Sequence, residues 1–162
     1  MKKIYYYLIL LVFLTNISAC AGYKPIFGST NLEFKIADYE ITGNKKIGNQ
    51  IYSKLYNLSQ SNKNNSEGKN IYILINASKN KNATAKDSTG KAVAYKISLT
   101  VDITVKDFLT DELILKEKFV SSASYKVQDQ YSQTIKSENR STENLINKTY
   151  QDLLIKLSEN IL

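Results

Sequence analysis

The run Val93-Ala94-Tyr95-Lys96-Ile97-Ser98-Leu99-Thr100-Val101-Asp102-Ile103-Thr104-Val105 alternates without interruption. Val93, Tyr95, Ile97, Leu99, Val101, Ile103 and Val105 share one parity, and Ala94, Lys96, Ser98, Thr100, Asp102 and Thr104 the other. Successive side chains of a strand point to opposite faces. A period of two held this long therefore predicts a strand with one face on a core and the other toward water. Such a face needs a second layer to cover it.

Downstream, Asp107 to Glu112 reads as a turn and Leu113 to Val127 as another strand. Leu113, Leu115, Phe119, Ala123 and Tyr125 share its apolar parity. Glu117 falls on the same parity, which predicts a bulge or a sheet edge close by. The chain then ends in a helix that starts between Asp129 and Thr134, with Leu145, Ile146, Thr149, Tyr150, Leu153, Leu154, Leu157 and Ile161 as a wide apolar stripe. It holds no Gly or Pro to stop it.

Upstream, Ser78 to Lys91 is polar and contains the turn signal Asp87-Ser88-Thr89-Gly90, so it reads as a lysine-rich loop. Ile71 to Ala77 precedes it as a strand, with Ile71, Ile73 and Ile75 on one face. Tyr72 and Leu74 keep the opposite face from being purely polar. Ser59 to Asn70 has nothing to bury and reads as an exposed loop. Lys45 to Ser59 fits a helix, with Ile47, Ile51, Leu55 and Leu58 on one side. Leu32 to Ile41 alternates as a strand until Gly43-Asn44 breaks it. The order is β-α-β-β-β-α. It predicts an α+β domain in which two helices pack on one face of a four-stranded, mostly antiparallel sheet.

The first residues are of another kind. Lys2 and Lys3 are followed by an apolar run from Ile4 to Leu14, then by Ile17-Ser18-Ala19-Cys20. That is the layout of a secretory signal: a positive start, a short apolar region and small residues at a cut. The run is too short for a spanning helix, which needs roughly 20 apolar residues. Ile17-Ser18-Ala19-Cys20 resembles the bacterial lipobox, whose cysteine is alkylated by a diacylglycerol before cleavage and then N-acylated. Residues 1–19 are accordingly read as a lipoprotein signal peptide, Cys20 as the acylated anchor, 20–30 as a tether and 31–162 as the single α+β domain. The plainer alternative is a free Cys at the tail of an ordinary signal. Ala21, where an Asp would favour inner-membrane retention, leans the assignment toward the periplasmic side of the outer membrane.

Composition removes several activities. The chain has 162 residues, no His, no Trp and one Cys. Histidine-dependent triads, most zinc sites and, with Cys20 acylated, thiol catalysis drop out. There is no Gly-rich phosphate loop and no carboxylate constellation, so no catalytic residue, metal ligand or cofactor is expected. Without Lys2 and Lys3, 20 basic and 15 acidic residues remain, a net charge of +5. Export separates that charge from nucleic acid and makes lipid or lipopolysaccharide phosphates the natural acidic partners. The chain is also rich in Lys, Asn and Ile throughout and holds a single arginine, Arg140, so lysine-rich stretches equally fit a general compositional drift.

The element order behind a lipobox resembles the lipopolysaccharide-assembly lipoprotein family LptE. The opening Cys20-Ala21-Gly22-Tyr23-Lys24-Pro25-Ile26-Phe27-Gly28 is similar to that family's, with Ala21 as an additional residue. Ser124-Tyr125-Lys126-Val127 and the helix end Asp152-Leu153-Leu154-Ile155-Lys156-Leu157 are similar as well. The resemblance implies a non-enzymatic lipoprotein that plugs the outer-membrane barrel LptD, assists its assembly and binds lipopolysaccharide on its way to the outer leaflet. The family's ligand-binding basic residues map by no exact motif. Lys79, Lys81, Lys86 and Lys91 are the candidates, against the reading of a merely solvated hairpin. Tyr23, Pro25 and Phe27 either contact the barrel or pin the tether. The competing readings are an adaptor lipoprotein of another envelope system without lipopolysaccharide binding, a Ser-Lys hydrolase, and a surface antigen.

Overall fold

The computed structural model describes residues 32–61 and 68–161. The signal segment, Cys20, Tyr23, Pro25 and Phe27 lie outside them, as do residues 62–67 of the expected polar loop. The described elements are β1 (Phe34–Gly43), α1 (Lys45–Ser61), β2 (Lys69–Lys86), β3 (Ala92–Asp107), β4 (Leu113–Lys126) and α2 (Tyr131–Ile161). They form one four-stranded sheet in the order β1-β2-β3-β4. β1 pairs parallel to β2 across the α1 crossover, and the other two pairs are antiparallel. The expected α+β architecture, with two helices and a mostly antiparallel four-stranded sheet, is the one observed.

The alternation seen in the sequence becomes rows across the sheet. Ile73 faces Val105, which faces Leu115, and Ala77 faces Val101, which faces Phe119. Ile71, Ile73, Ile75, Ile97, Leu99, Val101, Ile103 and Val105 are almost fully buried, together with Ile47, Ile51 and Leu55 of α1 and Leu145, Ile146, Leu153 and Leu157 of α2. All belong to one core cluster, so both helices cover the same face. Burying one such side chain stabilises by about 1.5–3 kcal/mol. In β1 the pairing slips between Ile36 and Asp38. The bulge moves the inward parity from Phe34 and Ile36 to Tyr39 and Ile41, which is why the alternation falters there.

Caps and glycines end the elements. Gly43 has φ 69°, and a Cβ there would run into the Ala77 carbonyl oxygen. Only glycine fits both the conformation and the space. Asn44 then caps α1, its side-chain oxygen accepting from the Ile47 backbone N–H at 3.2 Å. At Gly48 a Cβ would strike the Ile41 side chain, so the missing side chain lets α1 lie close on β1.

Two expectations change. The stretch Ser78 to Lys86 is strand, not loop: β2 continues to Lys86, and the connection shrinks to the turn at Asp87–Gly90. Asp87 Oδ1 holds that turn by accepting from Thr89 N, Thr89 Oγ1 and Lys91 N. Polar composition did not prevent a strand because β3 supplies a pairing partner opposite these residues, and pairing overrides weak intrinsic preference. Similarly, α1 runs two residues further, through Gln60 and Ser61, and Lys69 and Asn70 begin β2, rather than lying in a loop. Glu117 lies on β4, an edge strand, and is exposed at the end of the row Ile41-Ile75-Ile103-Glu117. A register shift lies nearby, at Val105/Lys106.

Candidate functional site

Because β2 runs on past Ala77, its inward parity continues through Lys79, Lys81 and Ala83. Their neighbours in β3 are Leu99, Ile97 and Tyr95. Two lysines therefore stand on the face that the helices cover. A cation brought to a covered face needs a partner, and α2 supplies Glu138. Its Oε1 lies 3.1 Å from Lys79 Nζ and its Oε2 2.6 Å from Lys81 Nζ. The Tyr125 hydroxyl donates to the same Oε2 at 2.9 Å.

Tyr95 and Tyr125 face each other across β3 and β4 with ring centroids 5.8 Å apart. Lys81 Nζ lies over both rings, 4.5 Å from the Tyr95 centroid and 5.7 Å from that of Tyr125. The attraction between the cation and the ring faces adds to the ion pair. The Lys81 hydrogen bond, backed by those from Lys79 and Tyr125, overcomes desolvation and lowers the Glu138 carboxyl to about 2. The same bond, and one with Tyr125, pushes the Lys81 ammonium well above 10.5. Burial first, then hydrogen bonding to Glu138, raises the Tyr125 phenol, with Lys81 opposing. At neutral pH the cluster holds two cations and one carboxylate.

Beside it opens a cavity of about 320 Å³ lined by Lys81, Lys91, Tyr95, Gln128, Tyr131 and Thr134, among others. The Thr134 hydroxyl braces the wall, accepting from Gln128 N at 2.8 Å and donating to Gln128 O at 3.3 Å. Aromatic side chains and two lysines in the lining suit a ligand part apolar and part anionic, and Asp129 is the one acid among the lining residues. The volume is within the range of small-molecule sites, about 300–1,000 Å³.

Of the lysines named from sequence, Lys81 and Lys91 line the cavity, and Lys79, outside the lining, shares Glu138 with Lys81. Lys86 is exposed near the end of β2 and does not line it. Cys20, Tyr23, Pro25 and Phe27 lie outside the described residues. Glu138, Tyr95, Tyr125 and Tyr131 were not foreseen. The signal for them was available: extending the β2 alternation by two steps puts Lys79 and Lys81 under α2, which requires an acid there.

Four-stranded mixed sheets covered on one face by two helices form a recognisable α+β class, and bacterial lipoproteins are among its solved members. The minor lipoprotein from Acinetobacter baumannii superposes with a TM-score of 0.57 at 14% identity, over 80% of this chain and 94% of that one. For lipoprotein B from Nitrosomonas europaea the values are 0.56, 13%, 82% and 88%. For the rare lipoprotein B from Shewanella oneidensis they are 0.51, 13%, 75% and 94%. At these identities the likeness is one of fold. No protein-family model matches the chain, and no curated protein matches it.

Proposed function

We propose that the chain is a bacterial outer-membrane lipoprotein of the LptE kind. Cys20 carries a diacylglycerol and an N-acyl chain. The domain plugs an LptD-like β-barrel from the periplasmic side, helps it assemble and takes part in delivering lipopolysaccharide to the outer leaflet. Its work is binding, with no catalytic step. The observation that carries this reading is the conjunction of Ile17-Ser18-Ala19-Cys20 with a domain whose fold is shared with a rare lipoprotein B. The cavity at Lys81 and Lys91 supports it, because a phosphorylated sugar attached to acyl chains offers the anionic and apolar parts those walls suit.

The test is an affinity pull-down of the full-length protein from detergent-solubilised membranes. A large outer-membrane barrel recovered in near-equal amount is the expected result. Recovery of the lipoprotein alone, or with an inner-membrane transporter, would overturn the plug reading in favour of an adaptor.

A further inference from the structure

β2 outruns its neighbour. Its last rung on the β1 side is at Ala77, whose carbonyl oxygen accepts from Asn44 N at 2.7 Å. In a strand the N–H and C=O of one residue point the same way, and that direction alternates along the chain. Lys69 N also points toward β1, donating to Glu33 O, while Asn70 O accepts from Phe108 N on the β3 side. Odd-numbered residues of β2 therefore direct their backbone groups toward β1. Past Ala77 the same parity falls on Lys79, Lys81 and Ala83, and the register with β3 is unbroken as far as Ala83. The N–H and C=O groups of these three residues face a side on which no strand pairs among the described residues.

The core continues beneath this stretch. The row Ile41-Ile75-Ile103-Glu117 is four strands wide, whereas Lys79-Leu99-Ser121 and Lys81-Ile97-Ala123 are three. Leu99 and Ile97 are buried, so these rows lie on the same core and lack a member on the β2 side. Their charge is also unbalanced, because Glu138 alone answers both ammonium groups. Lys81 is turned toward β3 and β4, over the Tyr95 and Tyr125 rings. Lys79 has Glu138 Oε1 as its one hydrogen-bond partner among the described residues, and an ammonium group carries three donors.

We propose that residues 78–83 of β2 form a strand-addition site for a partner protein, which supplies an extended segment of matching length with an aspartate or glutamate opposite Lys79. In an antiparallel addition, the residues opposite Lys79, Lys81 and Ala83 exchange both backbone bonds with them, and their side chains fall on the same inward face. The main-chain bonds supply affinity. The acid supplies choice, since a basic residue in its place would add a third cation beside one carboxylate. The site depends neither on the acyl anchor nor on the partner being a barrel.

The full-length protein in detergent micelles is titrated with the end-blocked peptide Thr-Val-Thr-Val-Glu-Val and with its Gln and Lys counterparts, and amide exchange is followed by nuclear magnetic resonance. At saturation the Glu peptide should slow the Lys79, Lys81 and Ala83 amides about tenfold and leave those of Ser78, Asn80 and Asn82, which face β3, unchanged. It should bind about threefold more tightly than the Gln peptide, the scale of one cross-strand charge pair, and the Lys peptide should bind more weakly still. Lys79→Gln should erase that preference and keep the backbone contacts. Ala83→Pro should abolish binding, because it removes a donor that β3 does not use and leaves the strand intact. Equal affinity for the three peptides would overturn the proposal, as would binding unaffected by Ala83→Pro or no slowing at millimolar peptide. Slow exchange of the three amides in the protein alone would overturn it too, because the chain itself would then fill that side of β2.

Discussion

Replacing Glu138 by Gln removes the one carboxylate that serves Lys79, Lys81 and Tyr125. Folding lowers that carboxyl from 4.5 to about 2, and at about 1.36 kcal/mol for each pH unit the ceiling on its contribution is about 3.4 kcal/mol. The side chains of Glu138 and Lys81 are 16% and 36% exposed, so water screens part of the interaction. Hydrogen bonds to charged groups contribute about 1.5–3 kcal/mol, and with screening a loss of about 2 kcal/mol is expected near pH 7. For a domain of this size that lowers Tm by about 6–10 °C. The sign with pH follows from the direction of the shift. A carboxyl with a lowered folded pKa stabilises above its unfolded value and loses that contribution as pH falls through the folded one. The gap between wild type and Glu138→Gln should thus be full above about pH 5 and close toward about pH 2. Urea unfolding followed by circular dichroism across that range measures it. A gap below about 0.5 kcal/mol at neutral pH, the level of an ordinary surface change, would refute the reasoning. So would a gap that does not narrow on acidification.

Three further outcomes are expected. Asn44→Ala removes the α1 cap and should cost about 1 kcal/mol in urea unfolding, with Asn44→Asp restoring most of it. Gly48→Val forces α1 off Ile41 and should destabilise by about 1–3 kcal/mol, seen as a lower thermal midpoint with unchanged far-ultraviolet dichroism at low temperature. Lys91→Glu reverses a charge in the cavity lining without touching the Glu138 cluster. It should weaken binding of fluorescent lipopolysaccharide about tenfold, near 1.4 kcal/mol, at unchanged stability.

Much of the fold could be read from pattern because its elements carry strong periodicity. Val93 to Val105 alternates cleanly because β3 is an interior strand with one face on the core, and α1 shows its stripe because Ile47, Ile51 and Leu55 all bury. The far half of β2 was hidden for a physical reason. Beyond Ala77 its residues are mostly exposed and polar, and what makes them a strand is pairing with β3, a distant segment whose influence composition does not record. The site suffered from the same gap. Lysine density drew notice to Lys79, Lys81 and Lys91, but a loop has no faces. Nothing then required an acid opposite them or singled out Glu138 on α2.

The lysines on β2 have a consequence apart from any ligand. β1 stops at Gly43, opposite Ala77, so from Ser78 to Lys86 β2 has a partner strand on one side only among the described residues. A long open edge is a template on which a second molecule can add a strand, the first step toward aggregation. Here that edge carries charges on its inward face, at Lys79 and Lys81. An incoming copy would have to bring two more ammonium groups into a cluster with a single carboxylate. The same pair would act as a guard against self-association. Replacing both lysines by isoleucine would complete an apolar strand and leave Glu138 without a cation, and the chain would then be expected to trade solubility for fibre-like assembly.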